Sequence, residues 1–138
     1  MNLKKGGRLA LGVVLTTAGV SHLTFKRTEF AAQVPGWVPL GTNLVVVLSG
    51  IVEIALGVAL LVLATRRVLV GWVVAAFFVA IFPGNISQLI THTDAFGLDS
   101  DASRAIRLLF QPLLVLWALW CTDAWKNRTT LAPIWRRP

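Results

Sequence analysis

A single carboxylate, Glu53, lies at the centre of the apolar stretch Asn43–Leu63. A helix needs about 20 mostly apolar residues to span a bilayer, and this stretch supplies them. A charged side chain at mid-bilayer costs about 2.5–3.5 kcal/mol on insertion scales. Glu53 must therefore contact other protein groups, pair with a cation, keep its proton or line a wet cavity. The sequence predicts a membrane protein with a buried polar site.

Further polar side chains lie in the neighbouring apolar stretches. Counting residues from the centre of each stretch, at a rise of about 1.5 Å per residue, places them in the outer half of the bilayer. Polar residues that arose independently would be distributed over both halves. We therefore predict one polar pocket, open towards the outer face. Its candidate ligand-binding residues are His22, Trp37, Ser49, Glu53, Asn85, Gln88, Arg107 and Gln111.

Two residues form the expected charged centre of this pocket. Arg107 is expected to meet Glu53 directly, through Gln111 or through water, because a four-helix bundle brings all its members to one axis. In a ligand or proton site, Glu53 and His22 would be acid–base groups and Arg107 would hold an anion. The alternative is structural. The charged pair then fixes helix register, His22 caps the first helix, and the amide side chains bind carbonyls that prolines leave open.

The apolar stretches that must position these residues are four in number. The chain has 138 residues, is 56% hydrophobic and 14% charged, and has a mean hydropathy of +0.73. It has room for four spans with short connections in a single domain, 1–138. The spans are expected at about 9–25, 43–63, 68–90 and 105–122. The predicted fold is all-α: an integral membrane, antiparallel four-helix transmembrane bundle.

The connection Lys26–Thr42 is too polar and too interrupted by proline to span a membrane. Its apolar side chains, among them Val34, Trp37 and Leu40, are too numerous for a free loop. Tryptophan favours the depth of the lipid headgroups. We predict an interfacial flap between the first two helices that covers the pocket. In the third span, Pro83 predicts a kink.

Lys and Arg lie mainly on one side of the predicted bundle. The N-terminal segment, the Arg66–Arg67 turn and the C-terminal segment carry nine of them, against four on the other side. The positive-inside rule therefore places both termini in the cytoplasm. These basic segments also account for the net charge of +7, so no nucleic acid partner is expected. The expected partner is the lipid bilayer, with the basic, Trp-bearing tail on anionic headgroups.

Motifs for several other chemistries are absent from the sequence. Cys121 is the single cysteine, so no intrachain disulfide or Cys-x-x-Cys pair can form. The acidic loop with His92, Asp94, Asp99 and Asp101 fits no metal-binding pattern, and no metal is predicted. Nucleotide-binding glycine loops, hydrolase triads and zinc motifs are also missing.

Several segments, in order along residues 6–120, resemble the DoxX-like membrane proteins. The matching segments are Gly19–Phe25 (GVSHLTF), Phe30 with Val34–Pro39 (VPGWVP), Ser49–Gly57 (SGIVEIALG), Phe82–Ile86 (FPGNI) and Arg107–Pro112 (RLLFQP). The family usually shows Pro-Pro-Trp where this chain has Pro35-Gly36-Trp37. It usually shows Pro-Ala-Asn where this chain has Pro83-Gly84-Asn85.

The resemblance implies a four-helix bundle in the plasma (cytoplasmic) membrane of a prokaryote. Relatives are described as small subunits of a thiosulfate:quinone oxidoreductase or as membrane partners of detoxifying redox enzymes. It therefore implies a membrane subunit or anchor of a redox complex, with a quinone as ligand or cofactor, a redox enzyme as partner and no catalysis by this chain alone. Two alternatives stay open: a stand-alone binder or enzyme for a small lipophilic ligand, and a purely structural bundle. An oligomer is compatible with each.

Overall fold

The computed structural model describes residues 2–95 and 97–129, and these ranges confirm the predicted all-α fold. The helices are α1 (Leu3–Leu23), α2 (Arg27–Ala31), α3 (Thr42–Val62), α4 (Arg67–Ile90) and α5 (Asp101–Cys121), and a 3₁₀ turn over Ala64–Arg66 joins α3 to α4. The residues Trp135, Arg136 and Arg137 of the expected lipid-binding tail lie outside the described ranges.

Three helical segments of the described chain are long and apolar enough to span a membrane: α3, α4 together with its preceding turn, and α5. The predicted first span, α1, is not among them. Its first two turns contain Lys4, Lys5 and Arg8, which lower the apolarity of the helix.

Helices α1 and α5 begin earlier than the apolar pattern predicts. The pattern predicts a start of α1 near residue 9, whereas the helix begins at Leu3, since the Asn2 side chain caps it by accepting from the Lys4 amide. The apolar span was expected from about residue 105, with Asp101 or Ser100 as a cap before it; helix α5 begins at Asp101, since the Ser100 side chain accepts from the Ser103 amide. Apolarity marks the part of a helix that lies in lipid, whereas capping sets where the helix begins.

Helices α1 and α3 pack through glycines. A Cβ atom placed on Gly19 would lie 2.6 Å from the Gly50 carbonyl oxygen, and one on Gly12 would lie 3.0 Å from the Gly57 carbonyl oxygen. These positions have no room for a side chain, so the two backbones approach closely, as small residues allow in membrane helices. The contact fixes the register of α1 on α3 and holds the last turn of α1, which carries His22, against α3.

The long helices form two close pairs, α1 with α3 and α4 with α5. Towards one end the pairs share a hydrophobic core. Its buried members are Leu11, Leu15, Leu60, Val70, Val74, Phe78, Ala118 and Cys121. Pro83 lies inside α4, which is helical on both sides of it.

Ionic contacts join the helix ends next to the hydrophobic core. Lys4 pairs with Asp123, and Arg67 Nε lies 3.6 Å from Asp123 Oδ2, so the starts of α1 and α4 meet the segment after α5. The buried Arg8 donates to the Leu60 carbonyl in the last turn of α3. A cation there satisfies a carbonyl that the helix end leaves open and complements the helix dipole. The sequence pattern identified Arg8 only as a positive charge.

The glycine contact predicts a strong effect of a single methyl group. We expect Gly19→Ala to lower the free energy of unfolding by about 1–3 kcal/mol, since the added Cβ overpacks the α1–α3 interface. Gly36→Ala is the matched control, because a Cβ at Gly36 meets nothing within 4 Å. Thermal melts in mild detergent measure both. Equal melting temperatures for the two variants would contradict the close packing.

The Lys4–Asp123 pair predicts a pH dependence of stability. The hydrogen bond from Lys4 lowers the pKa of Asp123 below its ordinary value. A depressed carboxyl pKa stabilises the fold above the unfolded value of about 3.9, and this contribution is lost as the pH falls through the folded pKa. We expect Asp123→Asn to melt at a lower temperature than the wild type at pH 7. The difference should shrink below about pH 4. A difference that stays constant from pH 7 to pH 3 would contradict this assignment.

Candidate functional site

A cavity of about 530 Å³ lies between the two helix pairs. Its walls come from α1, α3, α4 and α5 and from residues in the range 30–38, which includes the end of α2. Most of the lining is apolar, with Val14, Leu15, Ala18, Val45, Val46, Phe77, Phe78, Ile81 and Leu114 among the residues. A volume of about 300–1,000 Å³ with mainly apolar walls and a few polar groups is typical of small-molecule sites.

The structure brings seven of the eight sequence-predicted residues to this cavity: His22, Trp37, Ser49, Glu53, Asn85, Arg107 and Gln111. Gln88 is buried but is not among the residues that line the cavity. Its Oε1 atom accepts from Gln33 Nε2 at 2.7 Å, and Gln33 does line the cavity. The polar residues therefore share one space, as the pocket hypothesis requires. Ligand binding by that space stays a prediction.

Glu53 contacts His22. The expected meeting of Glu53 with Arg107, directly, through Gln111 or through water, stays a prediction. His22 Nδ1 lies 2.9 Å from Glu53 Oε2, and both side chains are buried. The same Nδ1 lies 3.0 Å from the carbonyl oxygen of Ala18, one turn earlier in α1. The imidazole ring stacks on Phe30 of α2, with the ring centroids 3.2 Å apart. The close approach of α1 to α3 thus supplies the partner of the carboxylate, and α2 covers the pair.

Arg107 belongs to a second polar group, on the α4–α5 side of the cavity. Arg107 Nε donates to Asn85 Oδ1 at 3.3 Å, and Asn85 Nδ2 donates to Gln111 Oε1 at 3.0 Å. Gln111 Nε2 donates to the Phe78 carbonyl at 2.7 Å. Phe78 directly precedes Val79, whose carbonyl has no helical amide donor because residue 83 is proline. The side chains of α4 and α5 are therefore joined by a continuous hydrogen-bond network.

The Oε2 atom of Glu53 has no aligned hydrogen-bond donor within the described residues. The contact with His22 is short, but Oε2 is buried and has no hydrogen-bond partner there. A buried polar atom without a partner costs about 1–3 kcal/mol, and more when the group is charged. Oε2 has almost no accessible surface, so a ligand or an ordered water would reach this atom only if neighbouring side chains shifted.

The predicted flap between α1 and α3 lies across the cavity. Arg27 Nε donates to Asn43 Oδ1 at 2.8 Å, which ties its start to α3. On the other side Gly84 lets the flap approach α4, since a Cβ there would lie 3.0 Å from the Gln33 carbonyl oxygen. Trp37 lines the cavity while 73% of its surface is exposed. Sequence reasoning missed Gln33, because one amide between apolar neighbours gives no periodic signal.

The acidic loop before α5 is organised by Arg104, which is buried. Its guanidinium donates to the Thr93 carbonyl at 3.2 Å and to Asp101 at 2.8 Å, and it pairs with Asp94. His92 Nδ1 lies 2.7 Å from Asp101 Oδ1. Among the described residues, no group of three or more His, Cys, Asp and Glu side chains is placed to hold a metal ion. The sequence used Arg104 only in the charge count.

A family model described as "Domain of unknown function (DUF8561)" matches residues 11–122 of the chain. The match begins within α1 and ends just after α5, so it includes both polar groups of the cavity. No curated protein and no solved structure matches the chain.

The amide network predicts non-additive mutations. Asn85→Leu removes the Asn85 donor to Gln111 Oε1, and Gln111→Leu removes the Gln111 acceptor of Asn85 Nδ2 and the side-chain donor to the Phe78 carbonyl. We expect each single variant to lose about 1–3 kcal/mol of stability. The double variant should lose less than the sum by about 0.5–3 kcal/mol. Chemical unfolding in detergent measures the cycle, and strict additivity would contradict a direct bond between the two amides.

Proposed function

This chain belongs to the DUF8561 family, and we propose that it is an integral membrane protein that binds a small lipophilic molecule by its polar head. The cavity of about 530 Å³ carries this proposal, because its walls are mainly apolar and its polar groups come from all four long helices. An apolar cavity with a few convergent polar groups is the usual form of a small-molecule site.

Placement in a membrane is supported by the outer surfaces of the helices. Large apolar side chains face outward along them, among them Val79, Leu109 and Leu116, each more than 60% exposed. Contiguous apolar surface of this kind favours contact with lipid. In our proposal α1 is the fourth span of a four-helix bundle. The basic end with Lys4 and Arg67 then faces the cytoplasm, and the cavity lies in the outer half of a prokaryotic plasma membrane.

Both the apolar side chains and the polar groups of the cavity would hold a ligand. Its apolar body would lie between side chains such as Val46, Phe77 and Leu114, where burial contributes about 25 cal/mol per Å². Its head would meet the groups around Glu53 and Arg107. These groups are already oriented by hydrogen bonds and ring stacking, which reduces the free energy spent on ordering them.

The resemblance to DoxX-like proteins supports a quinone-type ligand and a redox enzyme as partner. In that form of the proposal the chain is the membrane subunit of a redox-related complex. It supplies the lipophilic site, and the partner supplies the redox centre. Co-purification of a redox enzyme in mild detergent would support this role, whereas a chain that retains ligand without any partner would favour a stand-alone binder.

Filling the cavity should remove the ligand. Ala18 lines the cavity, whereas Ala10 lies on the exposed side of the same helix, so Ala18→Leu and Ala10→Leu make the same change in different surroundings. We expect mass spectrometry of solvent extracts to show a lipophilic molecule enriched with the wild type and with Ala10→Leu. Recovery from Ala18→Leu should fall by about fivefold or more, because overpacking costs about 1–3 kcal/mol.

Thermal melts of both variants control for folding in this experiment. Equal recovery of the molecule from Ala18→Leu and Ala10→Leu would contradict the cavity as its binding site. So would extracts of the wild type that match extracts of detergent alone.

A further inference from the structure

We propose that the polar group of the ligand lies in the interior of the ligand molecule, with apolar parts on both sides, and not at one end. This inference rests on the proposed function of the cavity and specifies the ligand class of that same site. The order of residues along the cavity wall carries it. The polar residues form a belt between two apolar layers, and the belt consists of His22, Ser49, Glu53, Asn85, Arg107 and Gln111.

The first step places the polar residues of the two helix pairs at one depth. A Cβ atom on Gly7 would lie 3.4 Å from the Cβ atom of Cys121, so these residues face each other next to the hydrophobic core. Helix α1 runs away from this contact and α5 runs towards it. Counted along each helix, His22 and Arg107 both lie about four turns beyond the contact. The polar groups of both pairs therefore belong to a single belt around the cavity.

The second step concerns the wall between this belt and the hydrophobic core. On three helices the lining is apolar about two turns inward from His22, Asn85 and Arg107. The residues of this inner apolar layer are Val14 and Leu15 of α1, Phe77 and Phe78 of α4, and Leu114 of α5. The inner layer would contact one apolar part of the ligand.

The third step concerns the wall on the other side of the belt. On α3, Val45 and Val46 lie about one turn outward from Ser49. Gln33 of the flap also lines the cavity, but its Nε2 atom donates to Gln88. The remaining flap residues of this outer apolar layer are Val34, Pro35, Trp37 and Val38. The polar belt is thus bounded by apolar side chains on both sides.

This order selects between two kinds of lipophilic molecule. A ligand with its polar group at one end covers only one of the two apolar layers, so it forfeits the free energy of burying the other. A ligand with an internal polar group covers both layers while that group meets the belt. The chemical classes that fit are ketones, esters and amides between two chains, and polar rings with apolar substituents on opposite sides.

Two isomeric ketones test the position of the polar group. A carbonyl suits the belt, because the half-buried Ser49 hydroxyl and Arg107 guanidinium are hydrogen-bond donors at physiological pH. 7-Tridecanone carries its carbonyl at the middle of the chain, whereas 2-tridecanone carries it next to one end. The two have the same composition and therefore dissolve nearly equally in lipid.

Binding of the tritiated ketones is measured by scintillation proximity with the protein in lipid nanodiscs, and nanodiscs without protein are the blank. We expect the wild type to bind 7-tridecanone about tenfold or more tightly than 2-tridecanone, since 2-tridecanone leaves one apolar layer uncovered.

A larger side chain in the outer apolar layer tests where the second chain lies. Val45→Phe adds volume to the cavity wall, whereas Val52→Phe makes the same change on the exposed side of α3. In Val45→Phe the preference for 7-tridecanone should fall by about threefold or more, because overpacking excludes one of its chains. Val52→Phe should keep the wild-type preference. The comparison of the two ketones on the wild type stands even where a variant fails to fold.

Other results overturn the inference in distinct ways. Equal binding of the two ketones by the wild type, or tighter binding of 2-tridecanone, would overturn the internal position of the polar group. Loss of both ketones in Ala18→Leu would in that case leave the binding function intact. An unchanged preference in a folded Val45→Phe variant would show that no chain lies against the outer layer. Failure of both ketones to bind would also overturn the inference, and the extracts of the wild type and Ala18→Leu would then decide on the proposed function separately.

Discussion

The glycine contact between α1 and α3 is the constraint on which the rest of the structure depends. At Gly19 and Gly50 the two backbones are too close for any side chain. This approach commits α1 to α3 and brings His22 to Glu53, so that α4 and α5 form the other pair. The cavity is the space that remains between two tightly packed pairs. A bundle with four equal interfaces would close over that space.

The contacts that stabilise the fold lie at one end of the molecule, and the candidate site lies towards the other end. The hydrophobic core, the Lys4–Asp123 pair and the bond from Arg8 to α3 lie at one end. The cavity, its polar groups and the flap lie towards the other. Rigid elements joined at one end can hold side chains in defined positions at the other, which is what a binding site requires. The polar network that joins α4 to α5 adds a second fixed wall opposite the His22–Glu53 pair.

The sequence predicts the membrane-type helices well and the helix ends less well, for physical reasons. The observed α3, Thr42–Val62, differs from the predicted span 43–63 by one residue at each end, because a long apolar run leaves few alternatives. The start of α1 depends on a single capping side chain, Asn2, that an apolar pattern does not register. Depth follows from helix rise alone, and of the seven residues placed by depth counting all but Gln88 line the cavity. Depth counting cannot identify the contact partner of Glu53, because that partner depends on how each helix is rotated about its own axis. In α1 and α3 this rotation is set by the helix faces that carry the glycines.

The most direct measurement is a crystal structure of the wild-type protein grown from a lipid phase. The account predicts elongated electron density between the two helix pairs, with a polar atom within about 2.5–3.2 Å of a Glu53 carboxylate oxygen. It also predicts the flap closed over that density. A structure in which the pairs close on each other, with Glu53 bonded to Arg107 and no space between them, would contradict the account. In that case the polar residues hold the bundle together and bind nothing.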